Sequence, residues 1–392
     1  ATLLDTKGPE IRTGVLKDDK KVTLKEGQKF TLTTREVVGD ENIDMITYAG
    51  LPADVENGNT ILIDDGLIEL RVEEVVDGTD IICTVINGGE LGSKKGVNVP
   101  NVSIKLPGIT DKDKDDIIFG VEQGFDFIAA SFVRNAACIQ EIKQLLWEHG
   151  SDIPVIAKIE NAEGIENLDE IIKVADGIMV ARGDMGVEIP AEDVPHYQKE
   201  IIKKCNATYK PVITATQMLD SMIRNPRPTR AEVTDVANAI YDGTDVVMLS
   251  GETANGKYPL EALKMMAKIA ERTEKDIKGR ASDISKVHSK RSISSAVCNA
   301  TVQTAENLNA KAIVCPTISG FTARLTSKLK PNAEIIGCSP YDNVLRKMQI
   351  YWGVRPLKTA TEVSTDKIIE HALVVSEQAG FVEEGDTVIV SA

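Results

Sequence analysis

Six short apolar runs, five of them alternating regularly with helical stretches, restrict the fold of this chain more than any other feature. The runs are Thr2–Leu4, Phe127–Phe132, Val155–Ile159, Gly177–Val180, Val212–Thr214 and Val246–Leu249. Apolar runs bounded by turn residues are typical of buried parallel strands, and the last five recur at roughly 25–35 residues, the length of one strand–helix unit. The pattern predicts an α/β chain built on a TIM (β/α)8 barrel. Such a barrel closes with eight strands, so we expect its first two βα units to be absent from this chain.

Two further segments have patterns of their own. In residues 12–99 apolar and polar residues alternate between Asn-Gly and Asp-Gly turns, which predicts an all-β module of hairpins without helices. Beyond residue 291, apolar runs again alternate with helical stretches, which predicts a second parallel α/β domain; these runs are Ala312–Cys315, Glu334–Cys338, Gly353–Leu357 and Thr387–Val390. The predicted domains are a barrel strand at 1–11, a β lid at 12–99, the barrel at 100–275, a linker at 276–291 and a C-terminal α/β domain at 292–392.

The composition is that of a globular protein with several domains, since 392 residues exceed one hydrophobic core and 42% of them are hydrophobic. The formal net charge of −15 argues against nucleic acid or an anionic membrane as a partner. The 6 cysteines lack zinc-ligand spacing, and no apolar segment has the length of a membrane span. Together with the lack of a signal peptide, these features predict a cytoplasmic protein with free thiols. The chain starts without methionine and stops on an apolar run, so we expect truncation at both ends.

Charged and hydroxyl residues follow the barrel runs where each predicted strand ends. Because the carboxyl ends of parallel strands meet on one face of a barrel, we expect these side chains to surround one mouth. They are Asp5, Thr6, Ser131, Arg134, Lys158, Glu160, Arg182, Asp184, Thr216, Gln217, Ser250 and Glu252.

Glu160 and Asp184 are the candidate metal ligands within this group. Carboxylate oxygens suit a hard cation such as Mg²⁺ or Mn²⁺, and two protein ligands suffice because water and substrate oxygens fill the other positions. Lys158 would neutralise a developing oxyanion or a moving phosphoryl group, and Gly183 would let the backbone approach a ligand. A helix opening after Gly186 would offer free amides to an anion. The competing interpretation is a buried Lys158–Glu160 pair beside an exposed loop.

Other catalytic motifs are absent. The sequence contains no GxxxxGK[ST] loop, no GxGxxG after a strand and no GxSxG turn, and its four histidines stand at no ligand spacing. Two interpretations remain open for the proline-rich loop Asn225–Arg230. Thr229 caps the following helix, or the loop carries a functional or interface arginine.

Longer stretches closely resemble pyruvate kinases, particularly the bacterial members. The most specific are IAKIENAEG (Ile156–Gly164) and MVARGDMGVE (Met179–Glu188); the others are Asp5–Gly14, Leu91–Pro100, Ala129–Arg134, Thr214–Met222, Asn225–Ile240 and Met248–Pro259. The resemblance spans nearly the whole chain in the family's order. It implies a TIM barrel with a β lid inserted after the third strand and a C-terminal α/β domain. It also implies the last reaction of glycolysis, transfer of the phosphoryl group of phosphoenolpyruvate to ADP, giving pyruvate and ATP, with Mg²⁺ and often K⁺.

The resemblance also implies roles for individual residues. Glu160 and Asp184 correspond to the Mg²⁺ ligands, and Lys158 to the cation that stabilises the transferring phosphoryl group. Gly183 and Asp184 correspond to the backbone that contacts the substrate carboxylate. The remaining correspondences place Thr216 beside the enolate carbon, Ser250 in a proton relay, Asp5 and Thr6 in half of a K⁺ site, and Arg12 and Lys95 at nucleotide phosphates. Such a set agrees with phosphoryl transfer, which depends on positioning and charge neutralisation.

The segment Cys315–Lys328 resembles the effector loop of the same family. Its candidate ligands for a sugar-phosphate or nucleotide effector are Thr317, Ser319, Gly320 and Thr322, at a strand end and helix start. A simple helix cap is the alternative. The resemblance further implies a homotetramer. Because the first two barrel strands and the end of the C-terminal domain are missing, we expect negligible turnover and poor folding from this chain by itself.

Two other functions remain open from the sequence. One is a metal-dependent lyase of the aldolase type acting on enolpyruvate or pyruvate, which would share the metal ligands Glu160 and Asp184 but need neither the lid nor Lys95. The other is a non-catalytic regulatory protein that binds an effector through Thr317–Thr322. The intact set Lys158, Glu160, Asp184 and Thr216 argues against loss of catalysis.

Overall fold

A computed structural model describes residues 1–277 and 292–391. The strands, in chain order, are β1 (Leu3–Asp5), β2 (Ile11–Arg12), β3 (Val22–Leu24), β4 (Lys29–Thr33), β5 (Ile43–Met45), β6 (Thr60–Ile63), β7 (Ile68–Val76), β8 (Asp80–Asn87), β9 (Gly89–Leu91), β10 (Gly96–Asn98), β11 (Phe127–Ala130), β12 (Val155–Ile159), β13 (Gly177–Ala181), β14 (Val212–Ala215), β15 (Val246–Val247), β16 (Ala312–Pro316), β17 (Glu334–Ser339), β18 (Val354–Lys358) and β19 (Val388–Val390). The α-helices are α1 (Leu51–Asp54), α2 (Asp111–Glu122), α3 (Ala136–Glu148), α4 (Ala162–Glu166), α5 (Leu168–Val174), α6 (Arg182–Glu188), α7 (Val194–Ala207), α8 (Arg230–Asp242), α9 (Gly251–Ala254), α10 (Pro259–Ile277), α11 (Ile293–Asn307), α12 (Phe321–Lys328), α13 (Asp342–Lys347) and α14 (Thr365–Gln378).

The predicted barrel strands form one parallel sheet. Its order is β1-β11-β12-β13-β14-β15, and every pairing is parallel, so consecutive strands lie side by side with helices between them. The prediction of parallel strands is therefore confirmed, although β15 is two residues long and the apolar run there predicted four. Capping boxes start two of the helices around this sheet, with Thr110 before α2 and Thr229 before α8. The second capping box supports the interpretation of Thr229 as a helix cap.

Strand alternation determines which side chains enter the interior of this sheet. In β12, Val155, Ala157 and Ile159 pack in the cluster shared with the surrounding helices. Ile156 packs instead in the inner cluster, whose other buried members are Phe127, Ala129, Met179, Ile213 and Ala215. Because successive side chains of a strand point to opposite faces, Lys158 and Glu160 follow Ile156 toward the interior.

Residues 11–98 form a β module around their own buried cluster, which includes Phe30, Leu32, Ile61 and Leu70. Seven strands lie in the order β2-β10-β6-β7-β8-β4-β5, and β3 pairs with β9. Most pairs are antiparallel, as the hairpin prediction requires, but β4 and β5 are parallel. The prediction of no helix was wrong, because α1 forms one turn where Gly50 precedes Leu51 and Pro52 supplies a preset φ.

The C-terminal residues form a parallel sheet in the order β18-β17-β16-β19, with α11 to α14 as its helices, as predicted. The predicted linker at 276–291 starts two residues too early, since Asp276 and Ile277 still belong to α10. Residues 278–291 lie outside the described part of the chain. All six cysteines are buried and unpaired. Within residues 1–277 and 292–391, no helix has both the length and the apolarity needed to cross a bilayer.

A buried ion pair joins the C-terminal domain to the barrel sheet. Lys328, at the end of α12, contacts Asp245 and donates to Asn206 Oδ1 at 3.0 Å; the side chains of Lys328 and Asp245 are 2% and 0% exposed. Lys330 lies 4.5 Å from the ring centre of Trp352, and burial lowers the pKa of Lys330 to about 8. These contacts hold α12 against the residues that precede β15.

Replacing Asp245 with alanine is expected to destabilise the protein by about 3–5 kcal/mol, since it leaves Lys328 charged and buried without its partner. The measurement is the midpoint of thermal or urea unfolding. The matched control is Asp342→Ala, which removes an exposed pair with Lys358 at 2.7 Å and is expected to change the unfolding midpoint much less. If the two variants lost equal stability, the buried pair would contribute no more than an exposed one.

Candidate active site

Lys158 lies at the centre of a polar network at the carboxyl ends of β1, β11 and β12. Its Nζ is 3.0 Å from Glu160 Oε1 and 3.1 Å from Asp5 Oδ1, and it donates to Ser131 Oγ at 2.8 Å. The Lys158 side chain is 14% exposed. Burial disfavours its charge, but the carboxylates of Glu160 and Asp5 outweigh burial and raise the pKa of Lys158. The lysine is therefore a fixed cation.

Glu160 is almost completely buried, with a side chain 1% exposed. Its Oε2 accepts a hydrogen bond from the amide of Phe132 at 2.6 Å, whereas its Oε1 makes no hydrogen bond of good geometry despite the nearby lysine. Burial raises the pKa of Glu160 to about 7; Lys158 opposes this shift and Asp184 adds to it. Burial also raises the pKa of Asp184, against the effect of Lys158. Two carboxylates that repel each other and one incompletely satisfied oxygen fit a site for a divalent cation.

The donors at this site are oxygens, as a hard cation requires. Within residues 1–277 and 292–391, no group of three or more His, Cys, Asp or Glu side chains is arranged to hold a metal ion. A metal held by Glu160 and Asp184 would consequently take its other ligands from water and substrate, as the sequence predicts.

Thr216 and Gly183 are joined at the ends of β14 and β13. The Gly183 amide donates to Thr216 Oγ1 at 2.7 Å, and that hydroxyl donates to the Ala215 carbonyl at 2.6 Å. Thr216 has a φ of 67°, a conformation that is costly for a β-branched residue and requires support from its surroundings. The backbone amide of Gly183, which the resemblance places against the substrate carboxylate, is thus hydrogen-bonded to Thr216 in this structure.

Arg182 supplies part of that support. It donates to the Thr216 carbonyl at 2.7 Å and to the Ala215 carbonyl at 3.2 Å, and it pairs with Asp235 of α8 at 2.7 Å. The expectation that Arg182 lines the mouth was wrong, because these partners hold its side chain on the helical side of the strand ends. The predicted helix start after Gly186 was also wrong: α6 begins at Arg182, directly after β13.

Asp5 and Thr6, the predicted half of a K⁺ site, lie beside Lys158. Ser131 connects them: its hydroxyl donates to the Thr6 carbonyl at 2.6 Å, and its amide donates to Thr6 Oγ1 at 3.1 Å. Gly8 packs directly on Ser131, where an added Cβ would lie 2.8 Å from the serine Cβ, and its φ is 73°. Glycine is therefore required at this position.

Ser250 and Glu252 differ in their surroundings. Ser250 Oγ is buried without a hydrogen-bond partner, whereas its amide donates to Glu252 Oε2 at 2.8 Å. Glu252 also accepts from the Leu219 amide at 3.0 Å and is 2% exposed. Glu252 thus holds two backbone segments together and does not face the mouth, contrary to expectation, while the Ser250 hydroxyl remains available.

A cleft of about 550 Å³ separates the barrel from the β module. Arg12 and Lys95 line it from the β module, and Asp184 lines it from the barrel. Lys95 Nζ pairs with Asp64 at 2.9 Å, and Arg12 pairs with Glu10 and donates to the Lys94 carbonyl. The structure therefore brings both predicted nucleotide contacts to the same cleft as one predicted metal ligand.

The predicted effector loop connects β16 to α12. Thr317 Oγ1 accepts from the Gly320 amide at 3.0 Å, and Gly320 has a φ of 80°. Ser319 lines a separate cavity of about 390 Å³ at the junction with the barrel, together with Arg324 and Lys347. Thr322 lies in the first turn of α12.

Sequence reasoning missed two contributors to the site. Ser131 was assigned only to the mouth, although it bridges Lys158 to Thr6. Asn98 and Glu188 were not assigned any role, although a 2.8 Å hydrogen bond joins them across the cleft. Both belong to stretches that resemble the family, but nothing in their local spacing indicates the contact.

The geometry is that of an α/β enzyme with a lysine and two carboxylates at the ends of parallel strands, under a β module. Known proteins identify the family. The family described as "Pyruvate kinase, barrel domain" matches residues 1–263, and that described as "Pyruvate kinase, alpha/beta domain" matches residues 295–392. The chain belongs to the pyruvate kinase family.

Individual relatives agree. The chain is 52% identical over 395 residues to the pyruvate kinase of Clostridium acetobutylicum, covering 100% of this chain and 83% of that protein. It is 52% identical over 397 residues to the pyruvate kinase of Geobacillus stearothermophilus, covering 100% of this chain and 67% of that protein. A crystal structure of a pyruvate kinase from Cryptosporidium parvum superposes with a TM-score of 0.94 at 42% identity, covering 99% of this chain and 81% of that one.

Proposed function

We propose that this chain transfers the phosphoryl group of phosphoenolpyruvate to ADP, giving pyruvate and ATP, with the residue roles that the sequence predicts. The observation that carries the assignment is the buried Lys158, whose Nζ stands 3.0 Å from Glu160 at the strand ends. Transfer of a phosphoryl group needs charge neutralisation and alignment more than covalent help from the protein. A lysine, two carboxylates and a covering β module provide both.

In this proposal Glu160 and Asp184 hold Mg²⁺ or Mn²⁺. When bound there, such a cation would supply positive charge that neutralises the anionic substrate. Lys158 contributes a fixed positive charge to the phosphoryl oxygens, and Ser131 and Asp5 keep its ammonium in place. Asp5 and Thr6 supply oxygen ligands for K⁺.

The product side of the reaction involves Thr216 and Ser250. Thr216 lies beside the carbon of the enolate that must gain a proton, and its strained conformation is maintained by Arg182. Ser250, with a hydroxyl free of other hydrogen bonds, belongs to the relay that delivers this proton. Gly183 and Asp184 contact the substrate carboxylate through their backbone. For this contact, the Gly183 amide must give up its hydrogen bond to Thr216 Oγ1 and donate to the substrate.

The nucleotide occupies the cleft under residues 12–99, which act as the lid of a TIM-type barrel to which this chain contributes six parallel strands. Arg12 and Lys95 contact its phosphates, so Lys95 exchanges its pair with Asp64 for a phosphate oxygen. Lid closure excludes water and so limits hydrolysis of the phosphoryl group. The C-terminal domain, residues 292–392, binds a sugar-phosphate or nucleotide effector through Thr317, Ser319, Gly320 and Thr322. The enzyme acts as a cytoplasmic homotetramer.

The reaction is tested by following pyruvate formation from phosphoenolpyruvate with and without ADP, Mg²⁺ and K⁺. We expect any product to require ADP and Mg²⁺ together and to increase with K⁺. Ordinary turnover by this chain by itself would refute the negligible turnover expected from its sequence. Release of phosphate or cleavage of a carbon–carbon bond without ADP would favour the aldolase-type lyase. Effector binding without Mg²⁺-dependent substrate binding would favour a regulatory protein.

Replacing Gly183 with alanine tests the contact with the substrate carboxylate. An added Cβ would lie 3.5 Å from Thr216 Oγ1, an ordinary contact, so the fold should accept it. We expect an unchanged melting temperature and a KM for phosphoenolpyruvate raised by about tenfold or more, since the methyl group crowds the bound carboxylate. Gly186→Ala, in the same helix with only Val194 nearby, is the control. An unchanged KM in Gly183→Ala would contradict the proposed contact.

A further inference from the structure

One hydrogen bond connects the lid to the barrel helices across the cleft. Apart from it, Lys105, in the segment that leads from the lid into the barrel, contacts Asp54 of the lid. Asn98, the last residue of β10, donates through its side-chain amide to Glu188 Oε1 at 2.8 Å. In the described part of the chain, no other hydrogen bond or ion pair joins residues 11–99 to residues 109–260. Close to this hydrogen bond, Gly66 in the turn between β6 and β7 lies near the side chain of Val187 in α6.

Glu188 ends the short helix that carries the predicted substrate and metal contacts. Helix α6 starts with Arg182, Gly183 and Asp184 and runs only to Glu188, so the Asn98 contact lies about one helical turn from Asp184. At its other end, Arg182 joins this helix to Thr216 and Asp235. A displacement of the lid strand would thus be transmitted to α6 through Glu188.

The same strand carries the lid's side of the cleft. Lys95 immediately precedes β10, and Gly96 of β10 pairs with Arg12 of β2. Both predicted phosphate contacts consequently move with the strand that Asn98 terminates. Asn98 also lines the cleft together with Asp184 and Glu188, so the bridge stands where nucleotide and metal would meet.

We infer that the Asn98–Glu188 hydrogen bond is a positioning contact that couples the seating of the lid over the nucleotide to the orientation of Asp184. The inference rests on the proposed phosphoryl transfer and deepens it. Neither side chain is assigned chemistry on the reacting atoms. The hydrogen bond fixes the distance between β10 of the lid, through Asn98, and the end of α6 in the barrel, through Glu188.

The chemistry of the pair allows a donor–acceptor exchange as the test. Asn98→Asp places two carboxylates in contact and removes the donor, whereas Asn98→Asp combined with Glu188→Gln restores one hydrogen bond with its direction reversed. Glu188→Gln alone keeps the acceptor oxygen. The control for introducing an acid on the lid is Asn42→Asp, at an exposed lid position.

The enzyme variants are compared by steady-state kinetics with ADP and phosphoenolpyruvate varied separately, and by thermal unfolding. For Asn98→Asp we expect kcat to fall and the KM for ADP to rise by roughly tenfold each, the effect of losing a hydrogen bond to a charged group. The KM for phosphoenolpyruvate and the melting temperature should stay near those of the parent. The double variant should recover kcat to within about threefold of the parent. Glu188→Gln alone should also have a kcat within about threefold of the parent.

Three results would overturn the inference: kcat and KM within twofold of the parent in Asn98→Asp, no recovery in the double variant, or losses that affect both substrates equally and follow a lowered melting temperature. Failure of the proposed function would look different. In that case the parent itself would form no ATP from phosphoenolpyruvate and ADP.

Discussion

Replacement of Lys158 with methionine is expected to lower kcat for ATP formation by about 10³-fold, comparable to removal of a group that stabilises developing charge in a dry site. Lys158 is 14% exposed and held by Asp5, Ser131 and Glu160, so its charge is already oriented before substrate arrives. Methionine has a similar length and fills the same space. The loss in kcat should be measured well below the melting temperature, which is expected to fall because Glu160 loses its buried partner.

The control for this variant is Lys112→Met on α2, where the lysine is 65% exposed and pairs with Asp116 at 2.6 Å. Its kcat should stay within twofold of the parent. If Lys158→Met retained more than one tenth of the parent kcat, Lys158 would not be the cation that stabilises the transferring group. A stopped-flow measurement of the first turnover separates this step from product release.

Exchange of the two candidate metal ligands for their amides is expected to abolish most Mg²⁺-dependent activity. Glu160→Gln and Asp184→Asn keep the size of each side chain but remove its charge, and each should weaken Mn²⁺ binding by about a hundredfold or more, since even partners behind the metal ligands change affinity by 10–100-fold. Mn²⁺ binding is read directly by electron paramagnetic resonance, independently of turnover. Glu160→Gln can still accept the Phe132 amide hydrogen bond.

The matched control is Asp169→Asn on α5, an exposed carboxylate paired with Lys204 at 2.9 Å. It should change neither Mn²⁺ affinity nor kcat. If both Glu160→Gln and Asp184→Asn bound Mn²⁺ as tightly as the parent, Glu160 and Asp184 would not be the metal ligands. ATP formation at the parental rate in the two variants would refute the mechanism as a whole.

Local patterns were sufficient for much of the fold. The apolar runs at Val155–Ile159 and Gly177–Val180 became adjacent parallel strands, because a run buried on both faces has few alternatives to a sheet covered by helices. The two-residue spacing of Lys158 and Glu160 placed both on the interior face. Their 3.0 Å ion pair follows from that period.

Local patterns failed where an element depends on its neighbours. The helix at the end of β13 starts at Arg182 and not after Gly186, because the chain turns directly from the strand into the helix. The β module contains the short helix α1 and the parallel pair β4–β5, neither of which a pattern of antiparallel hairpins predicts. No periodicity encodes such contacts.

The sequence by itself determined which residue types stand at the strand ends, and thereby the family and the two carboxylates and lysine of the site. Only the tertiary structure decided the partner of each charged group: Arg182 with Thr216 and Asp235, Lys328 with Asp245, and Asn98 with Glu188. The physical reason is that a periodic pattern in the sequence carries information only about its own helix or strand. A period of two or of 3.6 residues assigns a side chain to one face of its own element. The group that it meets there depends on the order in which distant strands and helices pack.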